Sequence, residues 1–219
     1  MIIIINGAIG TGKTEAVNMI EENVKSIDKR KVVVIREDVS AIKDVNGFNM
    51  LKEFYDDKKR WSFTFEFYMF ILRVKTINKV IEENGSDCIY IIERCWFADR
   101  VCFAETLYQQ GYMNEAEWFT YNNIFNWLVD KKAVPEIDAY VFIECSLETH
   151  MKRIKLRGRE EEKDISTDYE QSIIDKHIDM RKTTKIPFTV IDGEQNYVND
   201  SIVAINVTNK IIDFIKSVL

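Results

Sequence analysis

The sequence predicts an α/β fold, with five mostly parallel strands in one sheet and helices packed on its faces. Three observations carry this expectation. Five short apolar runs, 2–5, 31–36, 88–92, 139–143 and 187–191, alternate with longer segments of helical period. The runs are rich in β-branched residues and are apolar at successive positions, as strands buried on both faces are. The first run leads directly into a glycine-rich octapeptide and then an amphipathic segment, the order of a strand, loop and helix in a right-handed crossover.

In chain order, 2–5 is the first strand. Gly7-Ala8-Ile9-Gly10-Thr11-Gly12-Lys13-Thr14 fits G-x-x-x-x-G-K-[ST], a phosphate-binding loop. Its glycines let backbone N–H groups curve around an anion, and a helix starting near Lys13 points its positive end at the same place. Residues 15–27 read as that helix, with Ala16, Val17, Ile20 and Val24 on one face. The second strand, 31–36, runs into Glu37-Asp38, carboxylates at the strand end where open sheets place ligands. Asn46-Gly47 marks a turn before a short helix at 50–55. One long helix spans 61–84. Phe63, Phe67, Phe70, Val74, Ile77 and Ile81 line one stripe, and Trp61, Phe65, Tyr68 and Leu72 a second. A helix apolar on two faces is expected to bury both, one of them against a partner chain. Asn84-Gly85 ends it. The third strand, 88–92, leads into Glu93-Arg94, and a helix from about Phe97 carries Asp99 and Phe103. Residues 114–130 form an aromatic-rich helix, 139–143 the fourth strand, and a helix bearing Arg153 and Arg157 follows. Gly158, Arg159 and the run Glu160-Glu161-Glu162 come next, then a helix at 166–183, the fifth strand and a final helix at 199–218.

With 219 residues the chain is expected to fold as one domain, and 46% apolar with 30% charged residues is ordinary for a globular protein. A net charge of −6 argues against nonspecific binding to nucleic acid or a membrane surface. Four cysteines lie apart, at 88, 95, 102 and 145, without a C-x-x-C pair, so zinc is not expected and a reducing cytoplasm is. The opening apolar run lacks a basic flank and is too short for a secretory signal, and no stretch reaches membrane-span length.

Together these residues are the parts that phosphoryl transfer needs. The loop 7–14 would cradle a nucleoside triphosphate, with Lys13 on its outer phosphates and the Thr14 hydroxyl on Mg2+. Glu37 would take the proton from the acceptor oxygen. Arg94 would steady Glu37 and the migrating phosphoryl group, and Arg153, Arg157 and Arg159 would close over the triphosphate and exclude water.

The chain also resembles the deoxyribonucleoside kinase family over about residues 2–192. The most specific segment is Glu93-Arg94-Cys95-Trp96-Phe97-Ala98-Asp99-Arg100-Val101-Cys102-Phe103, against the family's E-R-S-x-x-x-D-R-x-x-F. Val45-Asn46-Gly47, Met50-Leu51, Tyr55, Arg60-Trp61, Phe65-Glu66-Phe67-Tyr68 and the stretch 153–162 are similar as well. The resemblance implies the P-loop kinase fold with an arginine-rich lid at about 153–165, ATP or another nucleoside triphosphate as donor, and a deoxyribonucleoside as substrate. It implies Glu37 as the base on the 5′-hydroxyl, oriented by Arg94, and Glu93 with Thr14 at Mg2+. Tyr55 and Glu162 would meet the sugar 3′-hydroxyl, and Phe103 and Phe65 would flank the base. Glu66, Met69, Arg73 and Asp99 would complete the substrate pocket, and the helices 61–84 and 114–130 would form a homodimer interface.

Four positions depart from the family pattern: Cys95, Asp38, Ile42 and, most consequentially, Glu66, where the family carries a base-reading glutamine. An ionised Glu66 would only accept hydrogen bonds, and so would favour deoxycytidine or a purine deoxyribonucleoside over thymidine. Arg73 and Asp99 match the pair of the deoxycytidine and purine kinases. Two other readings share the loop: a nucleoside monophosphate kinase, which would need a second cation site, and a non-catalytic structural member of the fold.

Overall fold

Ile2, Ile3, Ile4 and Ile5 form most of β1 (Ile2–Asn6), the inner strand of the sheet in the computed structural model, which describes residues 1–219. β1 pairs in parallel with β4 (Cys88–Glu93) on one side and β5 (Ala139–Glu144) on the other. Side chains alternate across a strand. Ile2 and Ile4 therefore enter one core with Tyr90, Ile92, Tyr140 and Phe142, while Ile3 and Ile5 enter a second with Ile89, Ile91, Val141 and Ile143. Each such fully buried side chain contributes about 1.5–3 kcal/mol relative to exposure. That two-sided burial explains the unbroken apolar runs.

The sheet order is β2-β3-β4-β1-β5-β6, with β2 at Ser26–Ile27, β3 at Arg30–Ile35 and β6 at Phe188–Asp192. Five strands are parallel, as expected. The sixth, β2, is antiparallel to β3 and takes residues the sequence assigned to the first helix. That helix, α1 (Lys13–Asn23), stops earlier. Asp28 and Lys29 both adopt positive φ, 49° and 66°, the geometry of a two-residue hairpin. Their identities lack the usual Asn-Gly signal.

Two short helices, α2 (Ser40–Lys43) and α3 (Met50–Asp56), precede the long α4 (Lys58–Asn84). α4 begins three residues before the expected start because Asp57 caps it, accepting from the Arg60 N–H. It lies over the first core, burying Phe65, Met69, Phe70, Val74 and Ile77. Phe70, Val74 and Ile77 of the first stripe thus belong to the chain's own core. Phe63, Phe67 and Ile81 from that stripe remain half-buried, with Ile71 beside them.

The expected helix from Phe97 is a composite. A single turn, α5 (Trp96–Ala98), widens into a π-helical segment at Asp99–Ala104 and narrows again in α6 (Glu105–Gln109). Then come α7 (Glu115–Asp130), closed at its start by a capping box of Asn114 and Glu117, and α8 (Leu147–Arg157) after β5. A 3₁₀ turn at Glu160–Glu162, α9 (Thr167–Thr183) and α10 (Ser201–Ser217) complete the chain. α1 and α10 cover the second core. No helix is long and apolar enough to cross a membrane.

Candidate active site

The carboxyl ends of β1, β3 and β4 converge where the strand order passes from β4 to β5 through β1, the place where open sheets bind ligands. There the loop 7–14, Glu37, and Glu93-Arg94 meet. A cavity of about 640 Å³ opens between them. Its wall includes Ile9, Gly10, Gly12, Lys13, Thr14, Glu37, Tyr55, Phe65, Glu66, Met69, Glu93, Arg94, Asp99, Phe103, Arg153, Arg157, Arg159 and Glu162. The structure thus gathers most of the sequence-predicted site residues around one space. Gly7, Ala8 and Thr11 form the buried inner side of the loop, and Arg73 stands behind the wall.

The loop is held from several sides. Gly12 has φ +97°, and a Cβ there would collide with the Tyr197 hydroxyl. That hydroxyl donates to the carbonyl of Thr11 at 3.1 Å or of Gly12 at 3.2 Å. His150 Nδ1 lies 2.5 Å from the Ile9 carbonyl and 2.9 Å from Glu170 Oε1, tying α8 and α9 to the loop. Lys13 Nζ donates to the Ala8 carbonyl at 2.6 Å. Burial, and then the Arg94 guanidinium, pull its ammonium down to about 7; an anion in the loop would favour the charged form. Thr14 Oγ1 donates to Glu93 Oε1 at 2.6 Å, which puts the two expected metal ligands side by side. No group of three or more His, Cys, Asp or Glu forms a metal cage.

Arg73 organises the acidic side of the site from α4. Its Nε donates to Asp99 Oδ2 at 2.6 Å and its Nη2 to Asp99 Oδ1 at 3.1 Å. Nη2 also reaches Glu37 Oε1 at 2.6 Å, and Nη1 the Glu93 carbonyl at 3.2 Å. Arg73 thus pairs with Asp99 and Glu37 behind the pocket wall. The partner closest to Glu37 is Arg73 rather than Arg94, whose Nε is 3.8 Å away. Burial would raise the Glu37 carboxyl, but Arg94 and Arg73 outweigh it and hold Glu37 below the usual carboxylate range. Arg94 follows β4 with φ +64°, a left-handed conformation uncommon outside glycine and concentrated at functional sites. Its guanidinium carbon sits 4.4 Å from the Phe103 ring centre.

Glu66 is buried, yet its carboxyl makes no hydrogen bond or ion pair. Burial, and then Asp99, push it well above the usual carboxylate range. The sequence reading takes Glu66 as an ionised acceptor; here the cation seven residues along α4 is engaged by Asp99 and Glu37. Phe65 stacks on Phe54 with ring centres 4.4 Å apart, giving the cavity an aromatic side that sequence reasoning saw only in part.

The lid is already folded over the site. Arg153 donates to the Thr11 carbonyl at 3.1 Å. Arg157 reaches Glu162 Oε2, and Arg159 Nη1 lies 2.9 Å from Glu162 Oε1. Both Glu162 oxygens are therefore engaged by the lid's own arginines. Glu161 is held by Lys43 Nζ at 2.9 Å and Asn49 Nδ2 at 2.8 Å, fastening the lid to α2 and the start of α3. The acidic run is mostly an anchor, unlike the usual solvated charge run. Leu51, Phe54, Tyr169 and Tyr197 also line the cavity. Their spacing in sequence carries no signal, as they come from separate elements.

The deoxynucleoside kinase family model matches residues 3–216. The chain is 29% identical over 218 residues to a probable deoxycytidine kinase of fowlpox virus, covering 97% of this chain and 87% of the relative. It is 28% identical over 244 residues to deoxycytidine kinase 2 of Gallus gallus (99% and 89% covered). It is 30% identical over 190 residues to the deoxycytidine kinase of Homo sapiens (80% and 73% covered).

Proposed function

Because this chain belongs to the deoxynucleoside kinase family, an enzyme family whose donor is a nucleoside triphosphate, we propose that it transfers the γ-phosphoryl group of ATP to the 5′-hydroxyl of a deoxyribonucleoside. The preferred substrate is deoxycytidine or a purine deoxyribonucleoside ahead of thymidine, and the role is nucleotide salvage. One observation carries this reading: the phosphate loop, a carboxylate held by two arginines, and an aromatic-lined slot share a single cavity.

In this mechanism the loop 7–14 and Lys13 hold the donor phosphates, with Arg153, Arg157 and Arg159 over them. Mg2+ fits the Thr14 and Glu93 pair, because that ion takes one or two protein oxygens and fills its remaining positions with phosphates and water; bound there, it would neutralise charge on the phosphates. Glu37 accepts the 5′-hydroxyl proton. A carboxylate held at low pKa is a weak base, which suits a loose transition state in which the hydroxyl becomes acidic only as its bond to phosphorus forms. Arg73 and Arg94 keep Glu37 in place, and Arg94 faces the migrating group. Tyr55 and Glu162 lie at the sugar, Phe65, Met69 and Phe103 around the base, and Glu66 with Asp99 at its polar edge. The preference for an amino-bearing base rests on Asp99 as well as Glu66. The Asp99 carboxylate, pinned by Arg73, accepts a hydrogen bond from an exocyclic amino group. The relatives named as deoxycytidine kinases support the same preference.

A nucleoside monophosphate acceptor is disfavoured by the carboxyls of Glu37, Glu66 and Asp99 on the cavity wall. Incubation with labelled ATP, Mg2+ and a panel of the four deoxyribonucleosides and deoxycytidine monophosphate tests the reading. Deoxycytidine should be converted to its monophosphate. Phosphorylation of the monophosphate alone, or of nothing, would overturn it.

A further inference from the structure

Helix α8 meets the phosphate loop at three successive residues. His150 Nδ1 lies 2.5 Å from the Ile9 carbonyl oxygen. Gly10 rests directly on the helix backbone: a Cβ there would stand 3.1 Å from the His150 carbonyl oxygen and 3.6 Å from its Cα. Arg153, three residues further and so on the same face, donates to the Thr11 carbonyl. Arg153 lines the cavity, whereas His150 does not. The histidine is buried together with Glu170 of α9, whose Oε1 lies 2.9 Å from the same ring nitrogen. Well-packed apolar residues of similar volume are often as stable as a buried ionisable pair, or more so. The pair therefore calls for a task beyond packing.

The hydrogen bonds define that task. A carbonyl oxygen only accepts, so the proton sits on His150 Nδ1, and Glu170 Oε1 beside the same nitrogen keeps it there. His150 is the only hydrogen-bond partner of the Ile9 carbonyl, and the Gly10 N–H makes no hydrogen bond within the chain. These two groups belong to one peptide unit, which is planar and trans. Its C=O and N–H therefore point in opposite directions. With the Ile9 carbonyl drawn back onto the buried His150, the Gly10 N–H is turned the other way, toward the cavity that Ile9, Gly10 and Gly12 line.

We propose that His150 is a positioning residue for phosphoryl transfer: by holding the Ile9 carbonyl it aims the Gly10 N–H at the phosphates of the bound nucleoside triphosphate. This rests on the assignment of the loop 7–14 to the donor phosphates. His150 moves no proton in the reaction, and neither it nor Glu170 touches the reacting atoms. Glu170 keeps the ring turned to the loop. A backbone donor that is already aimed needs no reorganisation as charge shifts on the phosphates. The same helix carries Arg153 and Arg157, so one rigid element sets both the floor and the lid of the donor site.

Ile9-Gly10 is the only Ile-Gly pair in the sequence. Protein labelled with 13C at isoleucine carbonyls and 15N at glycine therefore gives a single carbonyl-to-amide cross-peak, from this peptide. On adding MgATP without nucleoside, the Gly10 amide proton should move downfield as it bonds to phosphate. His150→Leu fills the space without a donor. In that variant the Ile9 carbonyl carbon should move upfield and the MgATP-induced shift of the Gly10 proton should shrink. Its kcat/KM for MgATP should fall roughly tenfold or more, as expected for one misdirected hydrogen bond to a charged group, while deoxycytidine binding by calorimetry is kept. His150→Asn restores an N–H at the place of Nδ1 and should recover most of both losses. Equal losses in the two variants would make the ring a packing element and overturn the proposal, as would a wild-type kcat/KM in His150→Leu. The wild-type spectrum decides even where a variant does not fold. If calorimetry shows MgATP bound and the Gly10 proton stays in place, only this inference falls. If MgATP does not bind, the assignment of the loop fails and this inference fails with it.

Discussion

Arg73→Met removes the guanidinium that holds two carboxylates at 2.6 Å and leaves a side chain of similar length. The Arg73 and Asp99 side chains are 5% and 4% exposed, and Glu37 is 18% exposed. Water therefore cannot replace the lost bonds at Asp99, and only Arg94, 3.8 Å away, remains for Glu37. Breaking a buried ion pair by deleting one partner costs about 3–5 kcal/mol, because the other charge stays buried and unpaired. For a chain of this size each kcal/mol lowers Tm by roughly 2–4 °C, so the variant should melt about 6–20 °C lower. Arg73→Met/Asp99→Asn should recover part of that loss, since the amide carries no orphaned charge. Urea denaturation of the wild type, both single variants and the double variant closes the cycle. A loss below about 1 kcal/mol for Arg73→Met, or strict additivity in the cycle, would refute the argument that Arg73 is the counterion of this cluster. Turnover gives an independent check: with its shortest contact gone, Glu37 loses its orientation, and kcat should fall even at temperatures where the variant is folded.

Glu37→Gln keeps the shape but accepts no proton, so kcat should drop by about 10²–10⁴ while deoxycytidine binding by calorimetry survives; lost binding with retained kcat would make Glu37 a binding residue only. α4 presents the half-buried Phe63, Phe67 and Ile71, and α7 the exposed Phe119 and Trp127. We expect an isologous homodimer across them, and sedimentation at micromolar concentration should give a dimer that Phe67→Glu dissociates; a wild-type monomer contradicts it. His150 is opposed by burial, but contacts to Cys145 and Glu170 hold its proton up to about 9, above the usual 6.5. Its contribution to stability is therefore present in full below about pH 6.5 and lost as pH rises through about 9. Urea midpoints between those values should decline in the wild type and decline less in His150→Gln; parallel profiles would remove His150 from the explanation.

The local parts were legible in the sequence because their causes are local. Unbroken β-branched runs require two-sided burial, and β1, β3, β4, β5 and β6 appear where those runs lie. Gly-x-x-x-x-Gly-Lys-Thr after an apolar run specifies its own loop, and the Asn84-Gly85 stop ends α4 as expected. Even the convergence of Glu37 and Arg94 followed, since both stand at the ends of parallel strands. The hairpin of β2 was hidden because Asp28 and Lys29 take positive φ without glycine or asparagine. What only the tertiary structure decided is the ownership of charge. Arg157, Arg159 and Glu162 stood in the sequence without assigned ion-pair partners, and Glu37 was given to Arg94 alone. Packing gave Arg73 to Asp99 and Glu37, gave Arg157 and Arg159 to Glu162, and left Glu66 alone. Coulomb energy and desolvation depend on distance and burial in three dimensions, and spacing along one helix fixes neither. Which carboxylate each arginine holds is thus a property of the folded cavity.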